Sequence, residues 1–367
     1  MTPAVERYRT SLGDRIYRIP LEVFPGFWGY SHLVLTDSLR CLVDVGSGLE
    51  SSNECLETGM QCVRKEHGEP IDWDRLTHVV VSHGHIDHFG GLRFVRERTD
   101  APVGVHELDW RVLACYEARL AEATEALRIF LSTSGLTPGE QSDILGIYAV
   151  HKSLFASIPV DFTLPSPCST LGPLTLIHTP GHCPGHVVIQ VDDILLCGDQ
   201  VLSEISPHQS PEQLTPYTGL GHYLDSLRIV EQAAPSIRLG LGGHQQPMPD
   251  LAQRIEAIRA AHQIRLREVL ERMNSGSTVA QVARELFPEA DGYNQLLALE
   301  EIGAHVEYLF SRGYLDCLQP RLGAATDDGL VYYVRPNRPP PVLAGFAGAC
   351  PALEHPPRGI PTACGRS

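Results

Sequence analysis

The chain has 367 residues, of which 43% are hydrophobic, enough for one large domain and a small accessory domain. Its formal net charge of −15 argues against a polyanion as the main ligand, because nucleic-acid-binding surfaces are usually basic. The N-terminal residues mix acids and bases without a long apolar run. The sequence therefore predicts neither a secretory signal nor a membrane span, and we expect a cytoplasmic protein.

The cysteines indicate a reducing environment. All ten are spread along the chain without a CxxC pair or a compact spacing. Disulfide frameworks are typical of short secreted chains, so we predict mostly reduced thiols.

The first part of the chain alternates strand-like and helical segments. Apolar runs bounded by turn residues predict strands at residues 15–19, 31–36, 40–45 and 77–82, and helices at 51–65 and 90–98. This alternation is typical of an α/β fold.

Residues from about 107 to 162 interrupt the pattern with long helical stretches such as 118–132. Thr137 and Glu140 form a capping-box sequence that predicts a further helix start. Strand-like runs return at 174–178, 187–191, 194–197 and 238–241. We predict one large α/β domain over residues 1–250, with a lid-like helical insertion.

The segment 251–335 has a different character. A first helix is expected at residues 251–273, Thr278 and Gln281 mark the start of a second, and a third is expected at 295–312. Two strands are expected to follow, at 314–318 and 330–334. Three helices and a hairpin predict a winged-helix-like domain. The tail 336–367 is rich in proline, glycine and alanine and lacks periodicity, which predicts an extended or partly disordered segment.

One short run concentrates residues that bind metals. His83, His85, Asp87 and His88 follow an apolar strand and precede the glycine pair at 90–91. Side chains in such a loop can converge on a small volume, as they could not on a strand. Imidazole and carboxylate suit Zn²⁺, with Mn²⁺ or Fe as alternatives.

The pattern resembles the metallo-β-lactamase superfamily, whose signature is HxHxDH after a strand. Further motifs of that family occur in order at Asp44, at residues 178–182 (HTPGH), at Gly198-Asp199 and at residues 242–244 (GGH). The resemblance spans residues 15–250. It implies an α/β fold, namely the αββα sandwich of this superfamily with a helical insertion, and makes residues 1–250 the catalytic domain.

The resemblance also implies a set of seven metal ligands. One metal would be held by His83, His85 and His182, the second by Asp87, His88 and His244, with Asp199 bridging the two. A hydroxide between two divalent cations, most simply Zn²⁺, would be the nucleophile. Asp87 and Asp199 are the catalytic carboxylates in this assignment, and no protein nucleophile is needed.

Several neighbouring residues are assigned supporting roles. His186 repeats the GHxxGH pattern, but the first histidine of that pattern is the ligand in the family, so His186 is expected beside the ligands. Asp44 is expected to accept a hydrogen bond near a ligand histidine rather than to bind the metal itself. Cys183 and Cys197 are expected to be inert. His244 stands in GGHQQP, where many relatives have proline-glycine-histidine-glycine.

The resemblance narrows to a glyoxalase-II-related branch with a winged-helix tail, which includes acyl-thioester hydrolases and an endoribonuclease. Our first hypothesis is hydrolysis of a small acyl thioester or a related ester or lactone. Phe27, Trp28 and Tyr30, in an early loop, are candidates for an acyl pocket, and equally for core or rim positions.

Three further hypotheses stay open. The first is nucleic-acid processing, in which the helix at 294–312 would contact the nucleic-acid strand. That helix carries Glu300, Glu301 and Glu307 but only one basic residue, Arg312, so nucleic acid is an unfavourable partner. A winged-helix-like domain that does not bind nucleic acid would serve packing or dimerisation, so a homodimer stays an open hypothesis for the oligomeric state. The second hypothesis is a catalytically silent binding protein, and the third is a mononuclear iron sulfur dioxygenase.

Overall fold

The first of two main sheets contains seven strands that follow one another in chain order. The computed structural model describes residues 3–152, 155–273, 276–318 and 331–334. The strands of this sheet are β1 (Glu6–Arg9), β2 (Arg15–Phe24), β3 (Phe27–Leu35), β4 (Arg40–Val43), β5 (His78–Val80), β6 (Val103–His106) and β7 (Phe162–Leu164). The strands β1 to β4 pair antiparallel, whereas β4 to β7 pair in parallel.

The second main sheet contains five strands in the order β12-β11-β10-β9-β8. They are β8 (Cys168–Leu171), β9 (Leu174–His178), β10 (Val187–Val191), β11 (Ile194–Gly198) and β12 (Leu239–Gly242). All neighbours pair antiparallel except β11 and β12, which are parallel.

Helices cover the outer faces of both sheets. They are α1 (Glu50–Lys65), α2 (Ile86–Phe89), α3 (Leu92–Arg96), α4 (Trp110–Ala114), α5 (Tyr116–Thr133), α6 (Pro138–Lys152), α7 (Leu220–Ala233), α8 (Leu251–Arg272), α9 (Val279–Leu286) and α10 (Tyr293–Ser311). No described helix is both long and apolar enough to cross a lipid bilayer.

The alternation of side chains along each strand builds three separate cores. In β4, Val43 joins the cluster between the two sheets, while Leu42 joins the cluster beneath α1. In β10, Ile189 faces the inter-sheet cluster and Val188 faces the helices of the second sheet. Because successive side chains point to opposite faces of a strand, each sheet is covered on both sides. The result is the predicted αββα sandwich.

The predicted elements agree with the structure to within a few residues, with instructive exceptions. β9 and β10 have the expected bounds, and both capping boxes are present: Thr137 and Glu140 exchange hydrogen bonds, as do Thr278 and Gln281. The helix expected at 90–98 was wrong in extent, because only Leu92–Arg96 is helical. The strands β1, β6, β7 and β8 were not predicted. Each has three or four residues, too few to show a period. Helix α7 was also missed.

The helices after residue 250 share one hydrophobic core with the inserted helices. Phe130 of α5 belongs to the same cluster as Ile302 and Val306 of α10. β13 (Asp316–Leu318) and β14 (Tyr332–Val334) pair antiparallel beside them, at the predicted hairpin. The proline-rich tail predicted at 336–367 lies outside the described residues. The cysteines within the described part of the chain are free thiols.

Candidate metal centre

The predicted site residues follow the ends of neighbouring strands. Residues 83–88 come soon after β5, Asp199 directly follows β11, and His244 follows β12. His182 lies between β9 and β10, and β10 is antiparallel to β11, so it starts where β11 ends. These segments therefore meet at one edge of the two sheets.

His83, His85 and His182 form the first cluster of potential ligands. Their ligand atoms lie within 4.8 Å of one another. His83 Nε2 is 3.1 Å from His85 Nδ1. The rings of His85 and His182 pack edge to face with centroids 4.5 Å apart. Nitrogens this close can bind a single cation together.

Asp87, His88 and His244 form the second cluster, with the same spacing limit of 4.8 Å. Asp87 Oδ2 is 3.3 Å from His244 Nε2 and 3.9 Å from His88 Nε2. One carboxylate and two imidazoles thus face a common point beside the first cluster.

Asp199 lies between the two clusters. Its Oδ2 is 3.8 Å from His182 Nε2 in the first cluster. The same oxygen is 3.6 Å from His88 Nε2 and 3.4 Å from His244 Nε2 in the second. The structure therefore brings together all seven residues that the sequence singled out.

Asp44 holds the 83–88 loop in place. Its backbone is left-handed, with φ of 59°, a conformation that aspartate tolerates better than most residues. Its Oδ2 accepts hydrogen bonds from His88 Nδ1 at 2.9 Å and from Ser82 Oγ at 2.8 Å, and Oδ1 accepts from the Ser82 backbone N–H at 2.7 Å. Asp44 thus orients His88 from behind, as predicted.

Backbone carbonyls orient two further imidazoles. His182 Nδ1 donates to the carbonyl of His208 at 2.9 Å, and His244 Nδ1 donates to the carbonyl of Trp28 at 2.9 Å. A proton on Nδ1 leaves Nε2 free to ligate, so each bond fixes the required tautomer. No motif in the sequence indicated His208.

His186 supports Asp199. Its Nε2 accepts a hydrogen bond from the Asp199 backbone N–H at 3.0 Å, and its Nδ1 lies 2.9 Å from Thr179 Oγ1. Both ring nitrogens of this fully buried histidine are therefore occupied. The expected supporting role of His186 is confirmed.

The polar atoms at the centre fit a bound cation. His88 Nε2, His182 Nε2 and Asp199 Oδ1 are buried without a hydrogen-bond partner among the described residues. Leaving a buried polar atom unsatisfied costs on the order of 1–3 kcal/mol, so such atoms normally have a partner. Imidazole nitrogens and carboxylate oxygens are ligands for divalent metal ions, which would satisfy all three.

The electrostatics of the cluster also favour a cation. Burial lowers the pKa of His83 and of His85 well below the ordinary value, which keeps both rings neutral and able to ligate. Burial would raise the pKa of Asp199, but the imidazoles of His244 and His88 hold it well below its usual range. Against the lowering effect of burial, the neighbouring carboxylates raise the pKa of His88 above its ordinary value and that of His244 to about 10. Without a metal these two imidazolium groups balance Asp199, and a bound cation would take their place.

The three aromatic candidates lie in strand β3, so their placement in a loop was wrong. The ring of Phe27 is 4.7 Å from that of His244. Trp28 approaches the site through its backbone carbonyl. Tyr30 is only 8% exposed and its ring covers the Arg18 guanidinium, so Tyr30 is a core residue rather than a pocket residue.

Asp109 connects the two metal-binding loops and was missed by sequence reasoning. Its Oδ2 accepts from the Gly84 N–H at 2.7 Å and its Oδ1 from the Gly185 N–H at 2.9 Å. A Cβ on Gly185 would lie 2.7 Å from the Asp109 Cγ, so that position requires glycine. Burial raises the pKa of Asp109 to about 6. An isolated aspartate carries no sequence signal for this role.

Comparison with known proteins agrees with the site. Residues 29–244, more than half of the chain, match the family model of the metallo-beta-lactamase superfamily. The probable metallo-hydrolase YflN of Bacillus subtilis is 29% identical over 132 residues, which cover 35% of this chain and 46% of YflN. The probable metallo-hydrolase YybB of the same organism is 25% identical over 166 residues, 43% of this chain and 60% of YybB. The matches thus span about half the length of these relatives.

Two solved structures share the fold over most of the chain. A beta-lactamase domain protein from Burkholderia ambifaria has a TM-score of 0.71 and 25% identity, covering 90% of this chain and 94% of that one. A metallo-beta-lactamase family protein from Thermus thermophilus has a TM-score of 0.67 and 24% identity, covering 88% and 98%. Fold, clustered ligands and family match agree: the chain belongs to the metallo-beta-lactamase superfamily.

Proposed function

We propose that this protein is a metal-dependent hydrolase of a small acyl thioester or a related ester or lactone, whose residues would hold two divalent cations that activate the attacking water. The position of Asp199 carries the proposal. Its Oδ2 lies within 3.8 Å of His182 on one side and within 3.6 Å of His88 on the other. An oxygen in that position can bridge two cations, which favours a dinuclear centre over a single iron.

The chain supplies two ligand sets and balances the charge of the metals. The first set is His83, His85 and His182; the second is Asp87, His88 and His244; Asp199 is shared. Two divalent cations, most simply Zn²⁺, would supply an activated water and a Lewis acid for the carbonyl. Asp87 and Asp199 would supply negative charge that balances the cations. Asp44 orients His88, and His186 orients Asp199.

A thioester suits the proposed centre because its leaving group is good. A thiolate departs without a dedicated general acid. The two thiols nearest the centre in sequence are poor nucleophiles, since burial raises the pKa of Cys183 well above its ordinary value and that of Cys197 to about 12. Phe27 offers an apolar surface beside His244 for an acyl chain. The inserted helix α6 packs against α10 and, with α5, would form the lid.

The packing of helix α10 favours a small-molecule substrate over nucleic acid. Its residues Ile302 to Val306 are buried, and its glutamates bond to the protein itself. A helix in that position is not free to enter a groove of nucleic acid.

Metal analysis combined with a hydrolysis panel tests the proposal. The panel contains acyl-CoA thioesters, lactones, a β-lactam and single-stranded RNA. We expect two divalent ions per chain and turnover of thioesters, esters or lactones. Cleavage of RNA alone would overturn the thioester proposal, and one iron per chain with oxygen consumption would support the sulfur dioxygenase instead.

A further inference from the structure

The segment 203–219 lies between β11 and α7 and touches the candidate metal centre. It consists of turns and irregular segments, so its position depends on the elements that hold it. At His208 the backbone carbonyl accepts a hydrogen bond from His182 Nδ1 at 2.9 Å. The orientation of one proposed metal ligand is thus set by the position of this loop, which we call the 203–219 loop.

Helix α10 holds the 203–219 loop with its acidic residues. Glu300 Oε2 accepts from His208 Nε2 at 2.9 Å, and Glu301 Oε2 accepts from the Gln209 backbone N–H at 3.0 Å. The donors of these two bonds are the His208 side chain and the backbone of the next residue. Their acceptors are charged and their side chains are only 16% and 10% exposed. Hydrogen bonds to ionised acceptors are roughly twice as strong as neutral ones.

Glu307 holds the same loop at Glu212 and Gln213. Its carboxylate accepts from the backbone N–H groups of Glu212 at 2.7 Å and of Gln213 at 3.2 Å. The three glutamates that gave α10 its acidic character in the sequence therefore all face the loop. Because the loop presents N–H donors, carboxylates are the complementary side chains.

A buried histidine pair supports Glu301 from behind. His305 Nδ1 donates to the Glu301 carbonyl at 2.7 Å, and His305 Nε2 lies 3.2 Å from His262 Nδ1 of α8. Burial lowers the pKa of both histidines to about 3, so the pair is neutral at pH 7. Arg265 Nη1, 3.9 Å from Glu301 Oε1, supplies the positive partner. Helices α8 and α10 are thereby locked together where Glu301 projects.

We propose that Glu300 and Glu301 are positioning residues of the metal centre. By holding His208 and Gln209, they fix the His208 carbonyl that orients His182. The position of the helices after residue 250 thereby sets the metal affinity of the first ligand set, His83, His85 and His182. The inference rests on the proposed metal binding. Outer hydrogen-bond partners of metal-bound histidines typically contribute about 10–100-fold to metal affinity.

Metal affinity and the visible spectrum of the Co²⁺-substituted protein test the proposal. The Glu300→Ala/Glu301→Ala double variant should bind Zn²⁺ about 10-fold more weakly in chelator competition, the lower end of the range for direct partners, and its Co²⁺ absorption bands should shift. Glu300→Gln and Glu301→Gln, which keep an acceptor oxygen, should restore most of the affinity. Glu289→Ala, at an exposed position between α9 and α10, is the matched control and should match the wild type.

The outcomes separate the inference from the proposed function. A folded double variant with wild-type Zn²⁺ affinity and an unchanged Co²⁺ spectrum overturns the inference. If that variant does not fold, His208→Ala decides, because it removes the ring that Glu300 holds but keeps the carbonyl; wild-type affinity and spectrum in that variant also overturn it. A wild-type protein that binds neither Zn²⁺ nor Co²⁺ contradicts the proposed function instead.

Discussion

Two layers of residues surround the metal centre, and they differ in how they are encoded. The inner layer comes from short motifs, chiefly residues 83–88 and His182. The outer layer comes from isolated residues far apart in the chain, such as Asp109 and Glu301, which reach the centre through backbone groups. Ligand chemistry limits the inner layer to a few residue types, whereas any well-placed acceptor can serve in the outer one. The inner layer is therefore readable from sequence and the outer layer is not.

Removal of the proposed bridging ligand, Asp199, should have the largest effect. Asp199→Ala deletes the carboxylate that lies between both clusters, so most bound metal and about a thousandfold of the activity should be lost, equivalent to several kcal/mol of transition-state stabilisation. Metal content by elemental analysis and kcat/KM on the best substrate of the panel measure the effect. A variant that keeps two metals and full turnover would falsify the bridging role.

A smaller loss is expected when the support of a ligand is weakened. Asp44→Asn keeps the left-handed backbone and the shape but turns an amide toward His88 or Ser82, so Zn²⁺ affinity should fall about 10–100-fold. Asp192→Asn is the matched control, since Asp192 also has a positive φ, of 53°, but lies in the turn between β10 and β11. Equal affinities of the two variants in chelator competition would contradict the role of Asp44.

The histidine pair of the outer layer should make the protein sensitive to acid. The pKa of His262 is about 3 in the folded protein because of burial and the nearby His305, against an ordinary value of 6.5. The unfolded chain therefore binds more protons between these values, and stability is lost as the pH falls through this range. From pH 7 to 5 the metal-free wild type should lose about 2 kcal/mol more than His262→Gln. Urea unfolding measures the difference, with the exposed His151→Gln as control; parallel losses would argue against a neutral buried pair.

The smallest effect is expected at the edge of the proposed acyl pocket. Phe27→Ala removes the ring beside His244 and should raise KM a few-fold for the longer members of a series of small acyl groups, at about 25 cal/mol per Å² of apolar surface left uncovered. Tyr30→Phe is the control, since Tyr30 is buried against Arg18 and should leave KM unchanged. Steady-state kinetics over a series of chain lengths decides; a KM independent of Phe27 at every length removes this residue from the pocket.

The acidic face of α10 shows where sequence reasoning reaches its limit. Glu300, Glu301 and Glu307 on one helix argue against phosphate binding, and that much follows from charge alone. Their actual partners are the imidazole and backbone donors of the 203–219 loop, roughly 90 residues away in sequence. Periodicity describes the face of a helix but does not identify what packs against it.

Periodicity in the sequence predicted an α/β fold, and metal-ligand chemistry marked residues 83–88, because both act through residue types at short spacing. The αββα sandwich and the ligands His182, Asp199 and His244 followed from the resemblance to the superfamily. The sequence also located both capping boxes, at Thr137 and Thr278, since a cap is a local hydrogen-bond pattern. Only the tertiary structure placed Phe27 in a strand beside His244, connected Gly84 to Gly185 through Asp109, and set α10 against the 203–219 loop. Those contacts depend on which strand ends and helix faces meet in space, and this is decided by the packing of distant segments.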